Sequence, residues 1–330
     1  MLTKKQNVIE VIKGGNPDRY VNQYEFMHLM FGVDPFMFST PEPAGPGMTW
    51  HTQWGVLYEW PEDHPGGMPI HRPGTIVLED IKQWRDVVKA PNIIFPEEAY
   101  ADYMALAAQC DREDTFMTLG MFPGLLEITH HLMSMEGAMQ AIALEPDDVI
   151  ELVEWYVDWE IEYAKTLIPR IQPDALFHHD DWGSQNSTLI SPAMFKQIYL
   201  PAYKRLYGWY KDNGIEYIIH HCDSYAATYV PMMIEMGIDI WQGCMSTNDI
   251  PNLIKQYGGQ ISFMGGIDNG VVDRADWTLE LIDRETRRAI AEGGKLYYIP
   301  CCVMGGPGSS YEGVYDAVTA KIDELSKEDF

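Results

Sequence analysis

"SPAMFKQIYLPAYKRLYGWYKDNGIEYIIHH", residues 191–221, joins a long stretch of helical periodicity to a short run of β-formers. Gly214 stands where a helix C-cap needs one, and "IEYIIHH" beyond it has the apolar, β-branched composition of a strand buried on both faces. The same unit recurs in both directions. Upstream, "PDDVIELVEWYVDWEIEYAKTLI" precedes the strand-like "ALFHHDD"; downstream, "AATYVPMMIEMG" precedes "IDIWQG", "TNDIPNLIKQYGG" precedes "ISFMGG", and "TLELIDRETRRAIAEGG" precedes "KLYYIPCC". Repeated helix–strand units with short apolar strands predict an α/β fold with a parallel sheet, and a single (β/α)8 TIM barrel is its leading form. No glycine-rich phosphate loop follows an early strand, which argues against a doubly wound open sheet.

The remaining segments are read against that barrel. In "LTKKQNVIEVIKG" an apolar stripe of Val8, Ile9, Val11 and Ile12 ends at Gly14 and Gly15, predicting an N-terminal helical lead-in. From about 37 to 73 the composition turns to Pro, Gly and aromatics, which predicts a long ordered loop excursion, lid-like, packed by Trp50, Trp54, Tyr58 and Trp60. "EDIKQWRDVVKAPN" and "EEAYADYMALAAQCD" read as helices and "TFMTLG" as a strand, so residues 1–330 are expected to form one domain.

Composition excludes several partners. Lys and Arg number 23 against 49 Asp and Glu, a formal charge of −26 that repels nucleic acid and anionic membrane surfaces. No run approaches the roughly 20 apolar residues of a membrane-spanning helix, and no apolar signal segment follows "MLTKKQNVIE", so a cytoplasmic protein is expected. The five cysteines, at 110, 222, 244, 301 and 302, are odd in number and too sparse for a disulfide framework. They are expected to be thiols.

Asp180, Asp181, His220, Cys222, Gln242, Asp268, Cys301 and Cys302 all fall at or just past the ends of predicted strands, where a barrel builds its active site. On an extended segment His220 and Cys222 point the same way and His221 the opposite way. With a further sulfur from Cys301 or Cys302, thiolate and imidazole donors suit zinc, and three protein ligands leave the fourth position open for chemistry. The competing reading is a buried cysteine acting as a small hydrophobe and a hydrogen-bonded structural histidine. One of His178 and His179 must also face inward, whereas His130 and His131 read as solvent-facing or structural.

"HHDDWGSQNSTLISPAMFKQIYLPAYKRL", "HHCDS", "FMGGIDNG" and "YIPCCVMGG" together resemble the uroporphyrinogen decarboxylase superfamily, and more specifically its corrinoid-dependent methyltransferase branch. The likeness runs from about Asp18 to near Tyr315 and takes in "TQWGVLYEW". It implies a barrel with a catalytic zinc held by His-x-Cys and a distant cysteine, here His220, Cys222 and Cys302 with Cys301 as the alternative. It also implies a corrinoid (cobalamin) carried by a partner protein. Asp223 stands where that branch usually has glycine. The arginine-rich N-terminal signature of the decarboxylases is absent, and "VNQYEFMH" offers Glu25 instead, which disfavours porphyrinogen decarboxylation.

Nineteen tyrosines and ten tryptophans favour an aromatic substrate, so the expected reaction is O-demethylation: zinc-dependent transfer of methyl from a small methoxylated aromatic to the cobalt of a corrinoid protein. Glu25, Trp54, Phe122, Trp182, Trp241, Gln242 and Asp268 are the expected substrate-binding residues, with Gly120 and Gly124 shaping the floor beside Phe122. Asp180 and Asp181 are expected to bond the substrate, orient His220 or relay a proton. The alternatives are methylcobamide-to-thiol transfer of the coenzyme M type, metal-free decarboxylation, and a non-catalytic docking module for the corrinoid protein. A homodimer is compatible with each.

Overall fold

A computed structural model of the chain describes residues 1–37, 45–62, 66–303 and 306–330. Its strands are β1 (Met27–Met30), β2 (Thr49–His51), β3 (Leu57–Glu59), β4 (Met68–Pro69), β5 (Phe116–Met121), β6 (Ala175–His179), β7 (Tyr217–His221), β8 (Ile240–Cys244), β9 (Ser262–Ile267) and β10 (Tyr298–Cys302). Seven of them form one sheet in the order β1-β5-β6-β7-β8-β9-β10, and every neighbouring pair is parallel. The predicted alternation of helix and strand is therefore present, but the parallel sheet has seven strands among the described residues where eight were expected. Its edges, β1 and β10, are bridged by Gln23: its N–H donates to Pro300 O at 3.3 Å, and its side-chain Oε1 accepts from Cys302 N at 3.3 Å.

Strands β5, β7, β8 and β9 are buried on both faces, the property that makes them nearly continuous apolar runs. One face turns inward, where Phe116, Phe177, Ile219, Ile240, Met264, Ile299 and Cys301 form a single cluster. The other face packs on helices such as Pro146–Ile171 and Pro192–Asp212, through residues such as Leu176, Ile218 and Trp241. The helix Lys4–Lys13, capped by Thr3 and ended by Gly14 in the left-handed conformation, adds Val8 and Val11 to the inner cluster. Tyr297 N, just before β10, donates to Val11 O, and Lys5 N donates to Asp114 O ahead of β5. The helix thus closes the end of the sheet where the strands begin.

The excursion is more regular than its composition predicts. β2, β3 and β4 form a three-stranded antiparallel sheet that pairs Trp50 with Tyr58. Residues 38–44 and 63–65 of the excursion lie outside the described residues. The segment reading as "EDIKQWRDVVKAPN" is helical only over Ile81–Val87, and the next segment contributes the helix Ala101–Ala107.

Candidate metal centre

β6 and β7 run side by side with His178 opposite His220 and His179 opposite His221. The second pair faces the interior, its rings stacked 4.2 Å apart. Asp181 follows His179 by two residues, and the ligand atoms of His179, Asp181 and His221 lie within 4.8 Å of one another. Each is oriented from behind. Nδ1 of His179 is 3.0 Å from Glu127 Oε2, and Nδ1 of His221 is hydrogen-bonded to Gln242 Oε1, which leaves Nε2 of both rings free to bind. Asp223 N donates to Asp181 Oδ1 at 2.8 Å, and the Asp223 carboxylate lies 4.0 Å from His221 Nε2.

These residues line a cavity of about 880 Å³ whose other walls include Tyr24, Phe31, Tyr58, Phe122 and Phe177. Burial lowers the pKa of His179, and burial with the neighbouring His179 brings His221 down to about 4, so both rings are neutral near pH 7, the form that ligates a cation. Burial and then the charges of Asp181 and Asp180 push Glu127 well above the usual carboxylate range. Burial and the Asp181 charge raise Asp223 to about 8. No Lys or Arg is among the described lining residues, although Glu127, Asp181 and Asp223 all reach the cavity. Two neutral imidazoles and a carboxylate, with open space beside them and no cation to balance the acids, fit a catalytic zinc ion.

The ligands expected from sequence do not assemble. His220 points from the sheet toward the helices: its Nδ1 is 2.7 Å from Tyr207 Oη, and its ring stacks on Trp182 at 4.0 Å. Cys222 is buried with Sγ 3.0 Å from Ser224 Oγ, and burial pushes its thiol pKa well up. Cys302 belongs to a helix-side cluster with Ile267, Val272 and Ile282, whereas Cys301 lies inward near Tyr24. Among the described residues the one group of three or more ligand side chains within reach of a single ion is His179, Asp181 and His221. The cause is strand phase: with Tyr217 and Ile219 inward, His221 is inward and His220 is not.

The acidic pair divides in the same way. Asp181 belongs to the cluster, whereas the fully buried Asp180 carboxylate accepts Leu126 N at 2.9 Å, Glu127 N at 2.8 Å, Trp182 Nε1 at 2.8 Å and the Tyr203 hydroxyl. Asp180 thus pins the start of the helix Leu125–Met133. Only its carbonyl approaches His220, 3.3 Å from Nε2. Trp182 and Trp241 are fully buried and do not line the cavity; the Trp241 indole donates to Cys222 O. Asp268 caps the turn at Asn269–Val272. Glu25 precedes β1, accepts Asn22 N at 3.0 Å, and lies off the cavity wall. Phe122 lines the cavity, Gln242 touches it through His221, and Trp54 lines an adjoining chamber. Glu127, His179, His221 and Asp223 were missed as site residues. The signal for His179, His221 and Asp223 was the H-x-D that recurs in "HHDD" and "HHCD" at the ends of consecutive strands, whereas Glu127, on the helix Leu125–Met133, had none.

A parallel α/β sheet with imidazoles and carboxylates gathered where its strands end defines a barrel-type protein whose site lies at the mouth. The uroporphyrinogen decarboxylase (URO-D) family model matches residues 65–306, and the chain belongs to that family. Among solved structures it is similar to a methyltransferase from Methanosarcina mazei, with 13% sequence identity and a TM-score of 0.65 over 98% of this chain and 99% of that one. At that identity the likeness speaks for the fold. No curated protein sequence matches the chain.

Proposed function

We propose that this chain is a zinc-dependent methyltransferase that takes the methyl group of an aromatic methyl ether and delivers it to the cobalt of a corrinoid carried by a partner protein. The observation that carries this reading is the His179–Asp181–His221 cluster opening onto an aromatic-walled cavity. Membership of the URO-D family and the fold likeness to a methyltransferase support it. The difficult part of the reaction is the leaving group: the methyl carbon–oxygen bond must break with its electron pair going to oxygen. Zinc bound by the three side chains would supply Lewis-acid stabilisation of that oxygen. Glu127 and Gln242 hold the two rings in place, and Tyr24, Phe31, Phe122 and Phe177 offer apolar walls to an aryl group and limit water.

The founding decarboxylase activity would require a polycarboxylate to bind in a cavity whose described walls carry acids and no Lys or Arg. Among the described residues no helix is long and apolar enough to cross a membrane, and all five cysteines are free; with the composition, these facts support a cytoplasmic site of action. The test is methyl transfer from methoxylated aromatics to a cobalt(I) corrinoid protein, run beside methanol and beside methylated corrinoid protein with a thiol. Transfer from the aromatic ethers is expected. Turnover only in the thiol arm would reassign the acceptor. Binding of the corrinoid protein with no transfer in any arm would make the chain a docking module.

A further inference from the structure

A second chamber, of about 200 Å³, lies beside the metal-centre cavity, lined by Trp50, Thr52, Trp54, Val56 and Ile128 among others. It shares Tyr58, Phe122 and His131 with the wall of the larger cavity, so a molecule extending from one reaches the other past those three side chains. Its size suits one six-membered ring: an engineered apolar cavity of about 150 Å³ takes up a single benzene.

Two polar atoms of the lining residues are unpaired. Thr52 Oγ1 and Trp54 Nε1 are buried, and neither has a hydrogen-bond partner. Buried donors are usually paired, and these two are distinguished from the other unpaired atoms of the described residues by belonging to side chains that line one chamber, where a ligand would pair them. The Trp54 ring is also fixed in place, 8% exposed and packed at 4.7 Å on Trp159 and 5.4 Å on Tyr156. It is a rigid donor. No Asp, Glu, Lys or Arg lines the chamber among the described residues, and burial keeps His131 neutral, so nothing there would balance a charge on the occupant.

We propose that this chamber is the ring subsite: it binds a neutral aromatic ring bearing an acceptor oxygen, which takes the Trp54 indole N–H and the Thr52 hydroxyl as its donors. The identity of the ligand as substrate rests on the aryl-ether reading above, whereas its binding does not. The rest of the molecule then extends past Tyr58 and Phe122 toward His179 and His221. Selectivity follows from the same lining: neutral phenols and methoxyphenols enter, aromatic carboxylates are refused, and plain hydrocarbons bind more weakly for want of an oxygen.

The experiment is calorimetric titration of the full chain, freed of metal by chelator, with 2-methoxyphenol, toluene and benzoate. 2-Methoxyphenol should bind, toluene about tenfold more weakly, and benzoate not measurably. Thr52→Val keeps the side chain's shape and loses the hydroxyl, so it should weaken 2-methoxyphenol about tenfold and leave toluene unchanged; Trp54→Phe keeps an aromatic but smaller ring and loses the donor, so it should weaken 2-methoxyphenol at least tenfold. Should one variant fold poorly by thermal denaturation, the other carries the test. Benzoate binding as tightly as 2-methoxyphenol, or undiminished 2-methoxyphenol affinity in a folded variant, would overturn the subsite. Binding as described without any methyl transfer by the zinc-loaded protein would instead overturn the function and leave the subsite standing.

Discussion

His220 and His221 are neighbours with opposite surroundings, and the difference can be measured. His221 meets His179 in the cavity, whereas His220 is locked between Tyr207 and Trp182 on the helix side. Elemental analysis of protein purified without chelator should therefore find about one zinc per chain, falling to background in His221→Ala, His179→Ala and Asp181→Ala, because each removes one of three ligands. His220→Ala should keep its metal and lose roughly 2–4 kcal/mol of stability in denaturant titration, since it removes one of the two imidazole partners of the buried Tyr207 hydroxyl and opens a gap against Trp182. Zinc lost in His220→Ala and retained in His221→Ala would restore the His-x-Cys ligand set. Glu127→Gln should weaken zinc by about 10–100-fold in competition with a chelator, the usual cost of disturbing a residue that orients a ligating imidazole. Such phase was not legible from the residues. In "YIIHH" both faces are buried, so no alternation of apolar and polar residues tells which histidine looks inward. The recurrence of H-x-D at two adjacent strand ends was legible, and it points to the side chains that meet.

Among the elements, the helix Leu125–Met133 carries Glu127 to His179, and its start depends on Asp180. Four donors from three elements converge on that one buried carboxylate. Asp180→Ala should destabilise the protein by about 3–5 kcal/mol in chemical denaturation, because those donors would be stranded away from water. Metal affinity should fall as well, since Glu127 loses its anchor. Gly124, just ahead of the helix, has no room for a side chain: a Cβ there would lie 2.2 Å from Asp180 Cβ and 2.8 Å from His179 O. Gly124→Ala is thus expected to disturb the same corner, and to do so through the β6 backbone. Strands such as "FMTLGM" and "SFMGGI" were legible because short apolar runs between helical stretches leave few alternatives. The excursion was less so. Its Pro, Gly and aromatic content signals a turn-rich segment, but β2, β3 and β4 are held by pairings such as Trp50 with Tyr58 across the turn, which local composition does not encode.

For the molecule as a whole, the two ends of the parallel sheet have separate tasks. The His179, Asp181 and His221 cluster gathers where β6 and β7 end, and the helix Lys4–Lys13 covers the end where the strands begin. Eight strands would close such a barrel on themselves; here seven are present among the described residues, and Gln23 spans from Pro300 and Cys302 on one edge to the turn ahead of β1 on the other. The lead-in helix is consequently part of the core. Val8 and Val11, 0% and 1% exposed, pack with Phe26, Phe116, Tyr217 and Ile299. Replacing both valines by aspartate forfeits the burial of two aliphatic side chains, roughly 1.5–3 kcal/mol each, and adds the cost of burying unpaired carboxylates. At about 1.4 °C per kcal/mol for a chain of this size, the melting temperature should fall by about 5 °C or more. The zinc content of the protein that remains folded should be unchanged, because no residue of the helix approaches His179, Asp181 or His221 and the intervening β-strands transmit no ligand contact. Thermal melts read beside elemental analysis on the same samples decide it: an unaltered melt would remove the helix from the core, and a loss of zinc in the folded fraction at low temperature would show that the two ends of the sheet are coupled.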